Sequence, residues 1–333
     1  MRVLVTGGAG FTGSHYVRGL LSGPGAGGGN GRRSGQLPQS VRVTVLDTAS
    51  SAAGGERVAS LMRDPACSFV QGDVRDAALL AEILPGHDQV VDFTAGTSGG
   101  RSGDPAPASV DTRLYAARTL LEAAVRARVS RFVRVSGAEV YGDTRTELWP
   151  EDGPLLPGTP HAAATAAGDL LALDCHRTHD LPVVIARGPD AYGAGQSPDA
   201  YVPRVLSHLL RGSRVPAEEV RGDPREWLHV TDLCAGVRVA ADRGRVGEAY
   251  HVGGGTVLTD AQLTARLLDA CGAGWDMVSH RPAARAGRRR PALDDGRLRA
   301  LGHSPRVPLD EGLRATARWY ADRPPWRQPA RAA

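Results

Sequence analysis

The stretch VLVTGGAGFTGSHYV, residues 3–17, decides the expected fold, because it joins a β-rich run to a helical run through three spaced glycines. Gly7 allows a tight turn after the strand, and Gly10 lets the backbone approach a bound pyrophosphate. Gly13 lets the helix pack closely against the strand. The start of such a helix also presents unpaired N–H groups and a partial positive charge to phosphate oxygens. The stretch therefore predicts a dinucleotide site near the start of the chain.

An acidic residue, Asp47, closes the second predicted strand, VRVTVLD (41–47). A carboxylate there accepts hydrogen bonds from the adenosine ribose and would repel the 2′-phosphate of NADP, so NAD is the expected cofactor. The alternative for Asp47 is a simple capping role. Residues 22–40 separate it from the glycines, and their glycine-rich composition predicts a flexible surface insertion. The other residues of these segments predicted to bind the cofactor are Phe11, Thr12, Thr94 and Ala95.

Strand-like and helix-like runs alternate through the first half of the chain. Predicted strands lie at 2–6, 41–47, 68–73, 89–95 and 131–137, and predicted helices lie at 13–21, 77–84 and 112–128. Alternation of this kind predicts βαβ units and a parallel sheet covered on both faces. We expect an α/β fold, a Rossmann-type doubly wound parallel sheet with a smaller C-terminal α/β substrate lobe. The expected divisions are an NAD-binding domain at 1–186, a substrate lobe at 187–325 with some segments returning to the first domain, and a tail at 326–333.

Composition argues against several classes of function. The chain has 333 residues, of which 41% are hydrophobic and 23% charged, and a formal charge of +4. These are ordinary values for a soluble enzyme and do not indicate a nucleic-acid partner. The four cysteines are scattered without paired spacing, so neither a disulfide framework nor a metal site is expected. The first strand starts at residue 2 and no apolar run reaches membrane-spanning length, so we expect a cytoplasmic protein without a membrane partner.

Several motifs spread over almost the whole chain resemble one family. They are TGGAGFTGSH (6–15), GDVRD (72–76), RTLLEAA (118–124), EVYG (139–142), REWLHVTD (225–232), YHVGGG (250–255) and ALDDGRLRALGHSPRVPLDEGL (292–313). The chain is similar to extended short-chain dehydrogenases/reductases, most of all to the dTDP-glucose 4,6-dehydratases and related NAD-dependent sugar-nucleotide epimerases. The resemblance implies that Asp73 and Val74 lie by the adenine, and that the C-terminal lobe holds a nucleoside diphosphate sugar.

The predicted substrate residues follow from the same resemblance. A guanidinium fork suits a diphosphate, which gives Arg225 its expected role. Asp190 and Tyr192 fall in the family's substrate loop, PDAYGAGQ (189–196), but Asp190 stands where an asparagine is usual. A carboxylate beside a diphosphate is electrostatically unfavourable, which puts the usual substrate in question. Arg289 and Arg290 match a second anion site loosely, and a solvated cluster of charges is the alternative.

The catalytic residues of the family are missing from this sequence. The resemblance places Gly137 at the Ser/Thr position, His161 at the catalytic tyrosine and Thr165 at the lysine. Of the Asp–Glu pair that the dehydratases use to remove water, Ala138 replaces the aspartate and Glu139 remains. All 40 basic residues are arginine and the chain contains no lysine, so a shift of the alignment cannot restore the triad.

His161 is a chemically reasonable replacement for the tyrosine. A phenol needs its pKa lowered by roughly 3 units, about 4 kcal/mol, to act as a base near neutral pH, and an imidazole does not. The alternatives are a packing or helix-start role for His161 and a plain polar role for Glu139. Thr165 could reach the nicotinamide ribose but carries no charge. Arg113 replaces an asparagine that shapes the family's central helix.

Three functions remain open from the sequence. The first is an NAD-dependent enzyme that acts on a nucleoside diphosphate sugar with redox or redox-neutral chemistry. The second is a catalytically silent NAD-binding protein that acts as a partner. The third is an enzyme that uses the same fold for proton transfer on an unrelated natural product. The preserved lobes and Arg225 favour an enzyme. We also expect a homodimer, because the helices at 112–128 and 161–177 resemble the pair through which this family associates.

Overall fold

The computed structural model describes residues 1–23, 41–94, 107–143, 148–217, 220, 224–254, 256–279 and 292–323. The strands are β1 Arg2–Thr6, β2 Arg42–Asp47, β3 Cys67–Gln71, β4 Gln89–Asp92, β5 Arg131–Gly137, β6 Leu148–Trp149, β7 Val183–Gly188, β8 Asp190–Tyr192, β9 Arg225–His229, β10 Ala249–His251, β11 Val257–Leu258 and β12 Ala292–Leu293. The helices are α1 Phe11–Leu21, α2 Ala52–Leu61, α3 Ala77–Ile83, α4 Pro107–Ala127, α5 Pro160–His179, α6 Tyr201–Leu210, α7 Val230–Arg243, α8 Asp260–Cys271, α9 Gly296–Ala300 and α10 Leu309–Asp322. The predicted site residues Ala95, Arg289 and Arg290, most of the predicted insertion and the predicted tail lie outside the described residues.

A seven-stranded sheet forms the centre of the molecule, in the order β10-β7-β5-β4-β1-β2-β3. Every neighbouring pair in it is parallel. The strand order reverses between β1 and β4, since β2 and β3 continue on one side and β5 and β7 on the other. In open α/β sheets ligands bind at the carboxyl ends of the strands at such a reversal. The predicted Rossmann-type α/β fold class is confirmed.

An apolar core covers each face of the sheet, and successive side chains of a strand enter the two cores in turn. Val3 and Val5 pack with side chains of α1, α2 and α7, whereas Leu4 packs with side chains of α3, α4 and α5. All three are fully buried. Burial on both faces explains why β1 is apolar throughout instead of alternating with polar residues.

A smaller lobe is built around a second sheet in the order β11-β9-β8. Its core joins α6, α8 and α10 through residues such as Tyr201, Trp227 and Leu263. Two segments that follow residue 187 return to the central sheet, because β10 pairs with β7 and α7 packs against α1. The boundary at residue 186 stays a prediction. Among the described helices, none is long and apolar enough to cross a membrane.

Two helices next to the candidate site are fixed by their first turns. The Thr159 side chain accepts a hydrogen bond from Ala162 N at the start of α5, with proline in the first turn, so His161 is the second residue of this helix. The α2 helix was not predicted, because Gly54 and Gly55 lower its helix propensity. Its first turn is stabilised by Ser51, whose hydroxyl accepts from Gly54 N.

Candidate active site

The glycine turn between β1 and α1 has the form predicted for a pyrophosphate cradle. Gly7 has a φ of +69°, which favours glycine, and a Cβ on Gly13 would lie 2.9 Å from the Gly8 Cα. Helix α1 begins at Phe11 after Gly10, and no described side chain caps its N-terminus. The first N–H groups of α1, including those of Phe11 and Thr12, therefore belong to an uncapped helix end of the kind that binds phosphate.

Asp47 lies at the end of β2 and is held by backbone amides. Its Oδ2 accepts from Ala9 N at 3.0 Å and its Oδ1 accepts from Ala49 N at 2.8 Å. A carboxylate has about four acceptor positions, so these two bonds orient the group and leave acceptor capacity for a ribose diol. This geometry is compatible with the predicted role of Asp47, which is to bind the adenosine ribose of NAD.

A cleft opens beside this turn at the carboxyl ends of β1 and its neighbours. It is lined by Gly7, Ala9, Gly10, Leu46, Asp47, Thr48, Ala49, Ser50, Ser51, Gly54, Arg57, Gly72, Asp73, Val74, Phe93 and Thr94. Hydrogen bonds from Arg75 lower the pKa of Asp73, whose predicted place is beside the adenine. Thr94 donates from Oγ1 to Asp92 Oδ1 at 2.5 Å, which fixes the end of β4. An NAD molecule fits these features: a narrow glycine turn, an uncapped helix end and an oriented carboxylate.

Arg57 belongs to this cleft, although the sequence pattern gave no reason to select it. From α2 it donates to Ala9 O at 2.9 Å and to Gly195 O at 2.6 Å. It thus ties the glycine turn to the loop that follows β8. No short motif predicts such a bridge between residues 138 positions apart.

The structure brings two predicted catalytic residues, His161 and Glu139, together. The distance from His161 Nε2 to Glu139 Oε1 is 3.5 Å, and the side chains are 26% and 19% exposed, respectively. Glu139 lies in the short 3₁₀ turn that follows β5, and His161 lies in the first turn of α5. Both elements meet at the carboxyl edge of the sheet, where a partly exposed acid–imidazole pair can exchange a proton with a ligand.

The position of the Glu139 side chain explains why residue 137 is a glycine. A Cβ placed on it would overlap the Glu139 carboxylate, with Cδ only 2.7 Å away. The carboxylate therefore occupies the space that a serine or threonine side chain at position 137 would fill. The glycine at position 137 and the observed position of the Glu139 carboxylate are thus coupled through this volume.

Arg113 and Thr165 surround the pair in different ways. Burial lowers the pKa of the Arg113 guanidinium and the nearby Glu139 carboxylate raises it, so α4 brings a positive charge close to Glu139. Thr165 is buried and donates from Oγ1 to His161 O at 3.1 Å, a bond within α5. The side chain of Thr165 thus donates its hydrogen bond to the backbone of the helix that carries His161.

A buried network of charges holds α5 to the sheet behind the pair. Asp169 accepts from Arg134 Nε at 3.0 Å, Arg187 Nε at 2.9 Å and Ser136 Oγ at 2.9 Å. Arg134 also donates to Asp92 at 2.9 Å. All of these side chains are almost completely buried, so each charge depends on its partners.

Arg225, which the sequence predicts to bind the substrate, forms ion pairs with two carboxylates of the chain. Its guanidinium forms ion pairs with Asp190, at 3.2 Å, and with Asp260. Asp260 was not selected from the sequence because it lies 35 positions away and opens an ordinary helix. Tyr192 is buried and donates its hydroxyl to Leu309 O at 3.2 Å, which ties β8 to α10.

The glycine turn, the Asp47 carboxylate and the cleft at the strand reversal define a Rossmann-type dinucleotide-binding protein. Comparison with protein families identifies the family: the chain belongs to the NAD dependent epimerase/dehydratase family, whose model matches residues 3–253. The predicted family is confirmed, and with it NAD as the cofactor and the assignment of the chain as an enzyme of the epimerase/dehydratase kind.

Individual relatives match over almost the whole chain. A dTDP-glucose 4,6-dehydratase of Streptomyces niveus is 42% identical over 332 residues, covering 99% of this chain and 95% of the relative. One from Streptomyces antibioticus is 43% identical over 330 residues, with the same coverages. The crystal structure of a dTDP-glucose 4,6-dehydratase from Streptomyces venezuelae with NAD bound superposes with a TM-score of 0.87 at 41% identity, covering 98% of each chain.

Proposed function

We propose that this protein is an NAD-dependent enzyme that acts on a nucleoside diphosphate sugar and uses His161 and Glu139 as its acid–base pair. The observation that carries the proposal is the 3.5 Å approach of His161 Nε2 to Glu139 Oε1 at the carboxyl edge of the sheet. The substrate class is supported by the dTDP-glucose 4,6-dehydratases that are 42% and 43% identical to the chain.

The glycine turn, the start of α1 and Asp47 would hold NAD, whose nicotinamide accepts and returns hydride when bound. His161 receives the proton of a sugar hydroxyl at Nε2 and later gives it back, so the proton balance over the cycle is zero. Glu139 stabilises the imidazolium that forms, because a carboxylate near an imidazole favours its charged form. An epimerisation that is redox-neutral overall needs no more from these two groups. A dehydration also needs a base for the proton on the carbon beside the oxidised one and an acid for the leaving hydroxide. Glu139 would take that carbon proton, exchange it with solvent and return it, and His161 would give its proton to the hydroxide, which leaves as water.

Arg113 supplies the positive charge of a site that has no lysine. Its guanidinium interacts with the Glu139 carboxylate across the α4–β5 boundary. Arg113 thus places a cation beside the proposed acid–base pair, in a chain that offers no lysine for this role.

The test measures bound cofactor and turnover separately. The purified protein is denatured and the released NAD is quantified, and the native protein is incubated with dTDP-glucose and UDP-glucose in D₂O. We expect bound NAD and turnover of a sugar nucleotide, seen as deuterium on a sugar carbon for a dehydration or as an inverted hydroxyl without deuterium for an epimerisation. His161→Gln should lower this turnover by about 100-fold or more and leave NAD content unchanged, since general acid–base catalysis contributes 10²–10⁴-fold.

The matched control is His179→Gln at the exposed end of the same helix, which should keep full turnover. Bound NAD without turnover of any sugar nucleotide would support the catalytically silent homologue instead. Full turnover in His161→Gln would remove His161 from the mechanism.

We also propose that the protein is a homodimer formed through α4 and α5. These helices pack on each other, yet Tyr115 and Leu170 remain 49% and 54% exposed. Apolar side chains exposed on adjacent helices favour burial against a second copy of the same surface. Light scattering should give twice the mass of the chain, and the mass of a single chain at micromolar concentration would contradict the proposal.

A further inference from the structure

Most N–H groups of the Arg225 guanidinium donate hydrogen bonds to other residues of the chain. Nη1 donates to Asp190 Oδ2 at 3.2 Å, and Nε donates to Asp260 Oδ1 at 3.2 Å. Nη2 donates to the same oxygen of Asp260. Three of the five N–H groups of an arginine are therefore given to carboxylates, where a diphosphate clamp would offer them to the ligand.

Aromatic rings enclose the same guanidinium from other directions. The Arg225 carbon Cζ lies 4.5 Å from the centre of the Trp227 ring and 5.2 Å from that of Tyr201. Burial by itself would lower the pKa of Arg225, but the two carboxylates outweigh this effect and the pKa is raised. The cation is thus held firmly in place by its surroundings.

The charges of this Arg225 cluster, defined as Arg225, Asp190 and Asp260, do not favour an anion. Among the described residues, the one positive and two negative charges of this cluster sum to −1. A nucleoside diphosphate brings further negative charge to the same position, and charges a few ångström apart at a protein surface interact by several kcal/mol. An arginine alone would attract the diphosphate, whereas this cluster does not.

The two carboxylates differ in how easily they can leave the guanidinium. The Asp260 side chain is 4% exposed and belongs to the first turn of α8, where its carbonyl oxygen also accepts from Tyr201 and Thr264. The Asp190 side chain is 28% exposed and lies at the start of the three-residue strand β8. Asp190 is the partner that an incoming anion can displace.

We propose that Asp190 is a specificity-determining residue, which holds Arg225 in an ion pair that a nucleoside diphosphate must break in order to bind. The inference rests on the proposed function for the identity of the ligand. It assigns to Asp190 the role of weakening diphosphate binding, so that ligands with less negative charge at this position compete better than they would at an uncompensated arginine.

The experiment titrates the NAD-loaded protein with thymidine diphosphate in a calorimeter. Asp190→Asn keeps the size of the side chain and removes its charge, and we expect at least about tenfold tighter binding, or about 1.4 kcal/mol. Asp190→Ala should tighten binding in the same direction, which separates loss of charge from a new hydrogen bond of the amide. Retained NAD and an unchanged melting temperature show that the variants are folded.

Asp242→Asn is the matched control, because it removes one carboxylate from the Arg238–Asp242 ion pair near the far end of α7. This site is about 18 Å along the helix from Val230, and its substitution should leave the affinity unchanged. Unchanged or weaker thymidine diphosphate binding in both Asp190 variants would overturn the inference, as would the same tightening in the control.

The outcomes also separate this inference from the proposed function. Tighter binding in the Asp190 variants without turnover of any sugar nucleotide supports the inference and removes the proposed reaction. Turnover by the wild-type protein together with unchanged affinity in both Asp190 variants supports the proposed reaction and removes the inference.

Discussion

At the scale of single residues, the space beside Gly137 links this glycine to the position of the Glu139 side chain. The Glu139 carboxylate fills the volume of a side chain at position 137, and it also lies 3.5 Å from His161 Nε2. A hydroxyl-bearing residue at 137 and Glu139 in its present position exclude each other sterically. A side chain at position 137 would therefore require the Glu139 carboxylate to move from its present position beside His161.

We predict that Gly137→Ser lowers turnover by about tenfold or more, because the new side chain displaces the carboxylate from His161 and catalytic geometry tolerates little displacement. NAD content should not change, since the glycine turn is untouched. Gly19→Ser is the control, as a Cβ there meets nothing within 4 Å. A crystal structure of Gly137→Ser that keeps the Glu139–His161 contact would contradict the steric argument.

At the scale of elements, helix α5 carries His161 at one end and the buried Asp169 in its middle. Asp169 connects the helix to β5 through Arg134 and Ser136, and to β7 through Arg187. The orientation of His161 thus depends on a charge network two turns further along the helix. Removing one member of such a buried network leaves the others uncompensated.

We predict that Asp169→Asn lowers the free energy of unfolding by about 3–5 kcal/mol, because two buried arginines lose their shared carboxylate. Urea denaturation followed by circular dichroism measures the change. Asp174→Asn on the same helix removes an exposed carboxylate 3.6 Å from Arg177 and should change stability by less than about 1 kcal/mol. Equal losses of unfolding free energy in the two variants would show that the buried network stabilises the protein no more than the exposed ion pair does.

At the scale of the whole molecule, burial affects the histidines in one direction. It lowers the pKa of His15 and His251 from 6.5 to about 4, and it also lowers the pKa of His87, His229 and His303. His251 Nδ1 lies 2.9 Å from the Asp294 carbonyl oxygen, which can only accept, so in the neutral ring Nδ1 donates and Nε2 accepts from the Tyr141 hydroxyl. The folded protein therefore holds this ring neutral.

We predict that stability falls as the pH drops from 6.5 towards 4. In this pH window the histidines of the unfolded chain bind protons, whereas the buried histidines of the folded chain stay neutral. The free energy of unfolding therefore rises with pH. Each such histidine contributes a slope of up to about 1.4 kcal/mol per pH unit. Urea denaturation at pH 7, 6 and 5 measures the slope, and His251→Gln should reduce it. An identical slope in this variant would exclude His251 as a contributor.

The cofactor end was predictable because its physics is local. Gly7, Gly10 and Gly13 follow one another within a single turn, and the backbone conformations they allow do not depend on distant parts of the chain. The same holds for the strand periodicity, which fixed the parallel α/β class. A short α2 with two glycines escaped prediction because its stability comes from capping and packing instead of propensity.

The sequence by itself determined that this is an α/β chain of an NAD-dependent family and that it contains no lysine. Only the tertiary structure decided that Glu139 fills the space at Gly137 beside His161, and that Asp190 and Asp260 compensate Arg225. The reason is that a glycine turn is set by backbone sterics over a few residues. A contact between side chains 22 or 35 positions apart depends on how whole elements pack, which no local pattern contains.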